Sequence, residues 1–120
     1  MPHIVTSHNP GCVHTATIPA DQSLSNVIAI PPTHTLIGLV MPDAWDTANL
    51  TFRGSWDNVS WGNLYDWGGD LVQVATGPGR IIYLTDADLR AYPFLVLRSG
   101  TVQTPVNQTA ARTLTLITAP

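Results

Sequence analysis

Prolines and glycines break this sequence before a helix can run. Ten prolines and nine glycines are spread over 120 residues, and each fixes a turn or interrupts a regular element. Between the breakers lie short apolar or alternating segments: CVHTATI (12–18), SLSNVIAI (23–30), HTLIGLVM (34–41), NLTFRGS (49–55), VSWGNLYDW (59–67), LVQVA (71–75), RIIYL (80–84), PFLVLRSG (93–100) and RTLTLITA (112–119). In NLTFRGS, Leu50 and Phe52 point one way and Thr51 and Arg53 the other, the period-two signature of a half-buried strand. HTLIGLVM is apolar on both faces, as in a central strand. About nine such strands at intervals of roughly 8–12 residues predict an all-β sandwich or barrel in one domain. The segments 42–48 and 85–92 are read as loops with room for one helical turn, Thr85 being a good N-cap. No βαβ alternation, internal repeat or low-complexity stretch is present.

Composition agrees. The chain contains no lysine and no glutamate; its charges are five arginines and eight aspartates. Long helices favour lysine and glutamate, whereas the abundant threonine, valine and isoleucine favour pleated surfaces. Hydrophobic residues make up 44% and charged residues 11%. That balance argues against disorder, and it leaves few charges to cover a surface, so part of that surface is expected to be buried by a partner. A net charge of −3 gives no electrostatic case for nucleic acid. No apolar run reaches the roughly 18 residues of a membrane helix. The start MPHIVTSHNPG lacks a basic segment followed by an apolar one, so a soluble protein used without signal-directed export is expected. Residues 1–11 carry no periodicity and are read as a flexible, extended arm ahead of a sandwich domain at 12–120. Cys12 is the lone cysteine, which excludes an internal disulfide and a cysteine zinc set.

Chemistry-bearing groups are scattered. His3, His8, His14 and His34 show no metal-ligand spacing. Asp43, Asp46, Asp57, Asp66 and Asp70 fall at turns, where aspartate caps its own backbone, and lack the dense oxygen ligands of a calcium loop. TGPG (76–79) has neither the lysine nor the helix of a phosphate loop. Ser55, Ser60 and Ser99 have no nucleophile elbow around them. Without glutamate, a carboxylate pair for glycoside hydrolysis is disfavoured. The expectation is a non-enzymatic protein with no cofactor and no metal.

One stretch stands apart. GSWDNVSWGNLYDWGGD (54–70) holds three of the four tryptophans. As one strand over 59–67, it places Val59, Trp61, Asn63, Tyr65 and Trp67 on one face, so Trp61 and Tyr65 are expected to pack beside Leu50 and Phe52 across the hairpin. Trp56 and Trp67 fall in or beside turns and are the candidates for contact with something else, with Asp57 and Asn58 next to Trp56. Trp45 is expected to plug one end of the sandwich.

The set TLIGLVMPDAWDTANLTFRGSWDNVSWGNLYDWGGD, GRIIYL and LVLRSGT…TPVNQTAARTLTLIT, spanning about residues 34 to 118, resembles a group of small tailed-phage structural proteins. The shared features are an L-T-F-x-x-S-x-D element, an L-Y-D element, an R-x-I-x-L strand, and an arginine-serine-glycine before a PVNQ…R-x-L-x-L ending. The resemblance implies a jelly-roll-like sandwich on the virion head surface, a cement or decoration protein made in the host cytoplasm. It implies the major capsid protein as partner and association of copies as dimers or trimers, with no nucleic acid and no membrane. His3 and His8 in the arm would then meet a neighbour. Trp56 departs from the small residues of the family pattern, and Trp67 is an addition, which favours a contact particular to this protein. Other readings of the same sequence are a carbohydrate-binding sandwich of a fibre or host-recognition apparatus, with Trp56 and Trp67 stacking on a sugar beside Asp57, Asn58 and Asn63, and a tail or neck connector.

Overall fold

In the computed structural model, residues 12–84 and 92–120 are described. Nine strands form: β1 (Cys12–Ile18), β2 (Ile28–Ala29), β3 (Thr35–Val40), β4 (Leu50–Ser55), β5 (Gly62–Asn63), β6 (Gln73–Val74), β7 (Ile81–Tyr83), β8 (Phe94–Ser99) and β9 (Arg112–Ala119). They make two antiparallel sheets. Sheet A runs β1-β9-β3-β7; sheet B runs β2-β8-β4-β5, with β6 also on β4. The chain changes sheet at every connection except those joining β4, β5 and β6. This order is that of a jelly roll, in which two Greek keys wrap around each other.

Alternation explains the core. From sheet A, Ala16, Ile18, Leu36, Leu39, Leu114 and Leu116 point inward; from sheet B, Ile28, Leu50, Phe52, Leu64, Leu95 and Leu97 meet them. Each of these leucine, isoleucine and phenylalanine side chains contributes about 1.5–3 kcal/mol on full burial. Trp45 is buried in the same cluster, its indole N–H donating to the Ala48 carbonyl at 3.1 Å. The 42–48 segment is irregular, without a helical turn.

Several expected strands are shorter than their patterns. Of 23–30 only Ile28–Ala29 pairs regularly, with a single bridge from Leu24 to Arg98. The expected strand 59–67 is corrected more deeply. Asn63 lies opposite Arg53, and Leu64 donates its N–H to the Phe52 carbonyl. Leu64 therefore faces the core. The alternate positions with Trp61, Tyr65 and Trp67 do not: Trp61 is half-buried outside the core cluster, and Tyr65 is 53% exposed. Pairing resumes at Gln73 opposite Thr51. β5 and β6 are thus one strand along β4, interrupted by residues 65–72. The arm at 1–11, with His3 and His8, and the turn expected at 85–92 lie outside the described residues, save Tyr92.

Candidate contact surfaces

The first surface is the aromatic edge of sheet B. The β4–β5 turn is built by two side chains. The buried Ser55 hydroxyl donates to Asp57 Oδ1 (3.1 Å) and accepts the N–H groups of Asn58 (2.9 Å) and Asp57 (3.3 Å). Asp57 Oδ1 accepts from Val59 N–H and Ser60 N–H, both at 2.8 Å, and Oδ2 accepts from the Ser60 hydroxyl at 3.3 Å. The Ser60 and Val59 amides hold the Asp57 carboxyl below its ordinary value. Asn58 has φ of 61°, a left-handed conformation that asparagine tolerates better than most residues. Asp57 and Asn58 therefore have structural work inside the turn. Trp56, on the same turn, is 66% exposed.

The second turn belongs to the 65–72 excursion. Tyr65 bridges Leu71, Asp66 N–H donates to the Asp70 carbonyl, and Asp70 N–H returns to Asp66 Oδ1 at 2.9 Å. Val72 N–H closes the neck on the Leu64 carbonyl. Trp67, at the tip, is 100% exposed. Trp56 and Trp67 thus sit on separate turns. Asn63, expected as a polar neighbour, accepts on its Oδ1 a hydrogen bond from the Arg98 guanidinium at 2.7 Å. Arg98 is buried and also donates to Thr51 Oγ1 at 3.4 Å. Burial, then the like charge of Arg53, pushes its pKa down, against an upward pull from Tyr65. Between the excursion and the 101–103 turn lies a cavity of about 270 Å³ lined by Tyr65, Leu71, Gln73, Thr101, Val102 and Gln103. This lining has two amides and two hydroxyls but no carboxylate, imidazole or thiol.

The second surface was not legible as a site in the sequence. It is the outer face of sheet A. The ladder registers place Val13, Ile117, Gly38 and Tyr83 in one row across four strands, and Thr15, Thr115, Val40 and Ile81 in the next. Ile81 is 78% and Tyr83 79% exposed, and Val13 67%. No outward strand position on this sheet carries a charge. The available signal was RIIYL, apolar at every position after its arginine, which gave a strand but not the direction of its two faces.

Residues of the LTFRGS, RSG and PVNQ…R segments have physical roles in the frame. Thr51 Oγ1 donates to the Gly100 carbonyl at 2.7 Å. Gly100 has φ of 92°, and a Cβ there would lie 2.5 Å from the Thr104 carbonyl oxygen, so only glycine fits. Gln108, fully buried, accepts from Asp46 N–H (2.8 Å) and Arg112 Nε (3.2 Å) and donates to the Asp46 carbonyl (3.0 Å) and Ser99 Oγ (2.7 Å). Arg112 pairs with Asp46 at 2.9 Å. Among the described residues, no three His, Cys, Asp or Glu side chains gather as a metal site. Compared with known protein families, curated proteins and solved structures, the chain matches none.

Proposed function

We propose that this chain is a non-enzymatic structural protein of a tailed-phage virion, a cement or decoration protein that seats on the outer head surface and bridges neighbouring capsid subunits. The observation that carries this reading is the uncharged outer face of sheet A, with Ile81 and Tyr83 nearly four-fifths exposed. An uncharged face with exposed large apolar side chains, on a chain with few charges, supports a contact to be covered by another protein. The jelly roll by itself supports no function, since capsid proteins, lectins and cupins all use it. In this role each copy acts mechanically. It buries surface at the seams of the major capsid protein, and a stable seat needs about 1,000 Å² in total. Residues 1–11 extend the contact onto a neighbour.

The test is co-sedimentation with expanded phage heads. Ile81→Asp and Tyr83→Asp place a carboxylate in the seat, so both variants are expected to stay folded by circular dichroism and to lose particle binding. Full binding by both variants overturns the choice of face. Deleting residues 1–10 is expected to weaken occupancy without unfolding the domain.

One observation favours a second reading, a carbohydrate-binding module. Trp67 stands fully exposed on a hairpin tip, and exposed indoles are suited to stacking. A glycan-array signal that disappears in Trp67→Ala, with no binding to heads, would select that reading.

A further inference from the structure

Sheet edges are association hazards that proteins blunt, commonly by keeping edge strands very short. Here β2, β5 and β6 have two residues each and β7 has three, but the edge strand β1 has seven. Its sequence, CVHTATI, contains no charge and no proline.

One end of that edge is capped. Thr17 N–H donates to Asn26 Oδ1 at 2.8 Å, and the Thr17 carbonyl accepts Asn26 N–H at 3.3 Å. Thr17 therefore turns its backbone groups away from β9. The Thr17 and Thr113 hydroxyls, 3.0 Å apart, fit the close, non-hydrogen-bonded kind of antiparallel pair. By the alternation of such a ladder, Val13 and Thr15 also direct their N–H and C=O groups outward. Nothing equivalent to Asn26 covers them among the described residues.

We infer that β1 is a dimerisation edge and that its partner is the same strand of a second copy, paired antiparallel about a two-fold axis at His14. The geometry selects this occupant. Under that axis Val13 meets the second copy's Thr15, and Thr15 meets its Val13. The four outward groups of each copy are then all used, in four backbone hydrogen bonds, and an isologous contact of this kind closes. Among the described residues of β1, any other antiparallel self-register leaves some of these groups unmatched. The Asn26 cap limits the ladder to residues 12–16. The two copies of sheet A fuse into one eight-stranded sheet, with the uncharged outer faces side by side. This deepens the assembly reading by naming the partner. It is read in solution with no phage head present, so it fails or holds separately from the seating proposal.

The experiment is sedimentation of the full chain over a concentration series. Wild type is expected to pass from monomer to dimer. Thr15→Pro removes only the outward donor, because that N–H does not serve β9, and edge strands accept such a proline. It is expected to keep its circular dichroism spectrum and to dimerise roughly 30-fold more weakly, having lost two of four bonds. In a Cys12→Ser background, His14→Cys is expected to give a disulfide-linked dimer on mild oxidation, since the axis brings position 14 opposite itself. This readout does not depend on the proline variant folding. Three results overturn the inference. The first is a monomer at every concentration, including one whose Val13 and Thr15 amides are already protected from exchange by the chain's own residues. The second is a folded Thr15→Pro variant that dimerises like wild type. The third is a dimer that position 14 fails to cross-link.

Discussion

At Asn58 the backbone, not a ligand, accounts for the residue. Its φ of 61° costs an alanine about 1 kcal/mol and glycine little. Asn58→Ala is therefore expected to destabilise by about 1 kcal/mol in urea unfolding and Asn58→Gly to be near neutral. Trp56→Ala and Trp67→Ala are expected to stay within about 0.5 kcal/mol of wild type, as exposed positions do. That contrast separates residues the turn needs from residues it merely displays. The turn itself was legible: serine, aspartate and asparagine in SWDN are the residues that cap their own backbone. The division of labour was not, because Trp56 and Asp57 are neighbours in sequence while only Asp57 is tied down by hydrogen bonds.

Among the elements, the β5–β6 strand shows where pattern reading stops. Alternation in VSWGNLYDW is real, and it matches a strand, but it does not say which parity faces the core. That choice is made by register: Asn63 opposite Arg53 puts the aromatic set on the outer side and Leu64 inside. β4 offers only six residues for pairing, and the chain facing it is longer, so the surplus is thrown out as residues 65–72. Leu64 already sits opposite Phe52 and Gln73 opposite Thr51, leaving no gap in the ladder once the excursion is removed. A deletion of residues 65–72 is therefore expected to fold, losing roughly 2 kcal/mol through the burial of Val72. Urea unfolding checks the stability. A protein that fails to fold would show the excursion to be part of the frame. By contrast, β1 and β9 matched their sequence patterns end to end, because each alternates throughout and has a breaker or polar loop beside it.

For the whole molecule, the loops that bind the ends of the strands together carry the acid sensitivity. Asp46 accepts from Thr109 N–H (2.8 Å), the Thr109 hydroxyl (3.2 Å) and Arg112 (2.9 Å), and the Thr109 amide foremost holds its carboxyl below the ordinary value of 3.8. Asp57 is lowered too, by its own turn. A carboxyl whose pKa is depressed on folding stabilises the fold above its unfolded value and loses that contribution as pH falls through the folded value. Unfolding free energy is thus expected to hold steady down to about pH 4 and to fall below it. Asp46→Asn should flatten part of that slope; an unchanged slope would mean that this network does not persist in solution. The all-β sandwich was readable from breakers and alternation, and the jelly-roll-like order came from the resemblance alone. Which loop meets which could not be read, since Asp46, Gln108 and Arg112 are brought together only by strand order.

That strand order has a consequence for how the chain comes to exist. β9 lies between β1 and β3, and Cys12 pairs with Thr118. Sheet A therefore has no centre until β9 has left the ribosome. At about 5–20 residues per second, β1 waits on the order of ten seconds with both of its sides unpaired. Sheet A closes only once β9 is available, and the fold's contacts are mostly distant in sequence, a pattern that places refolding in the millisecond-to-second range. A chain stalled before residue 112 would present β1 and β3 as open templates to every other nascent copy nearby.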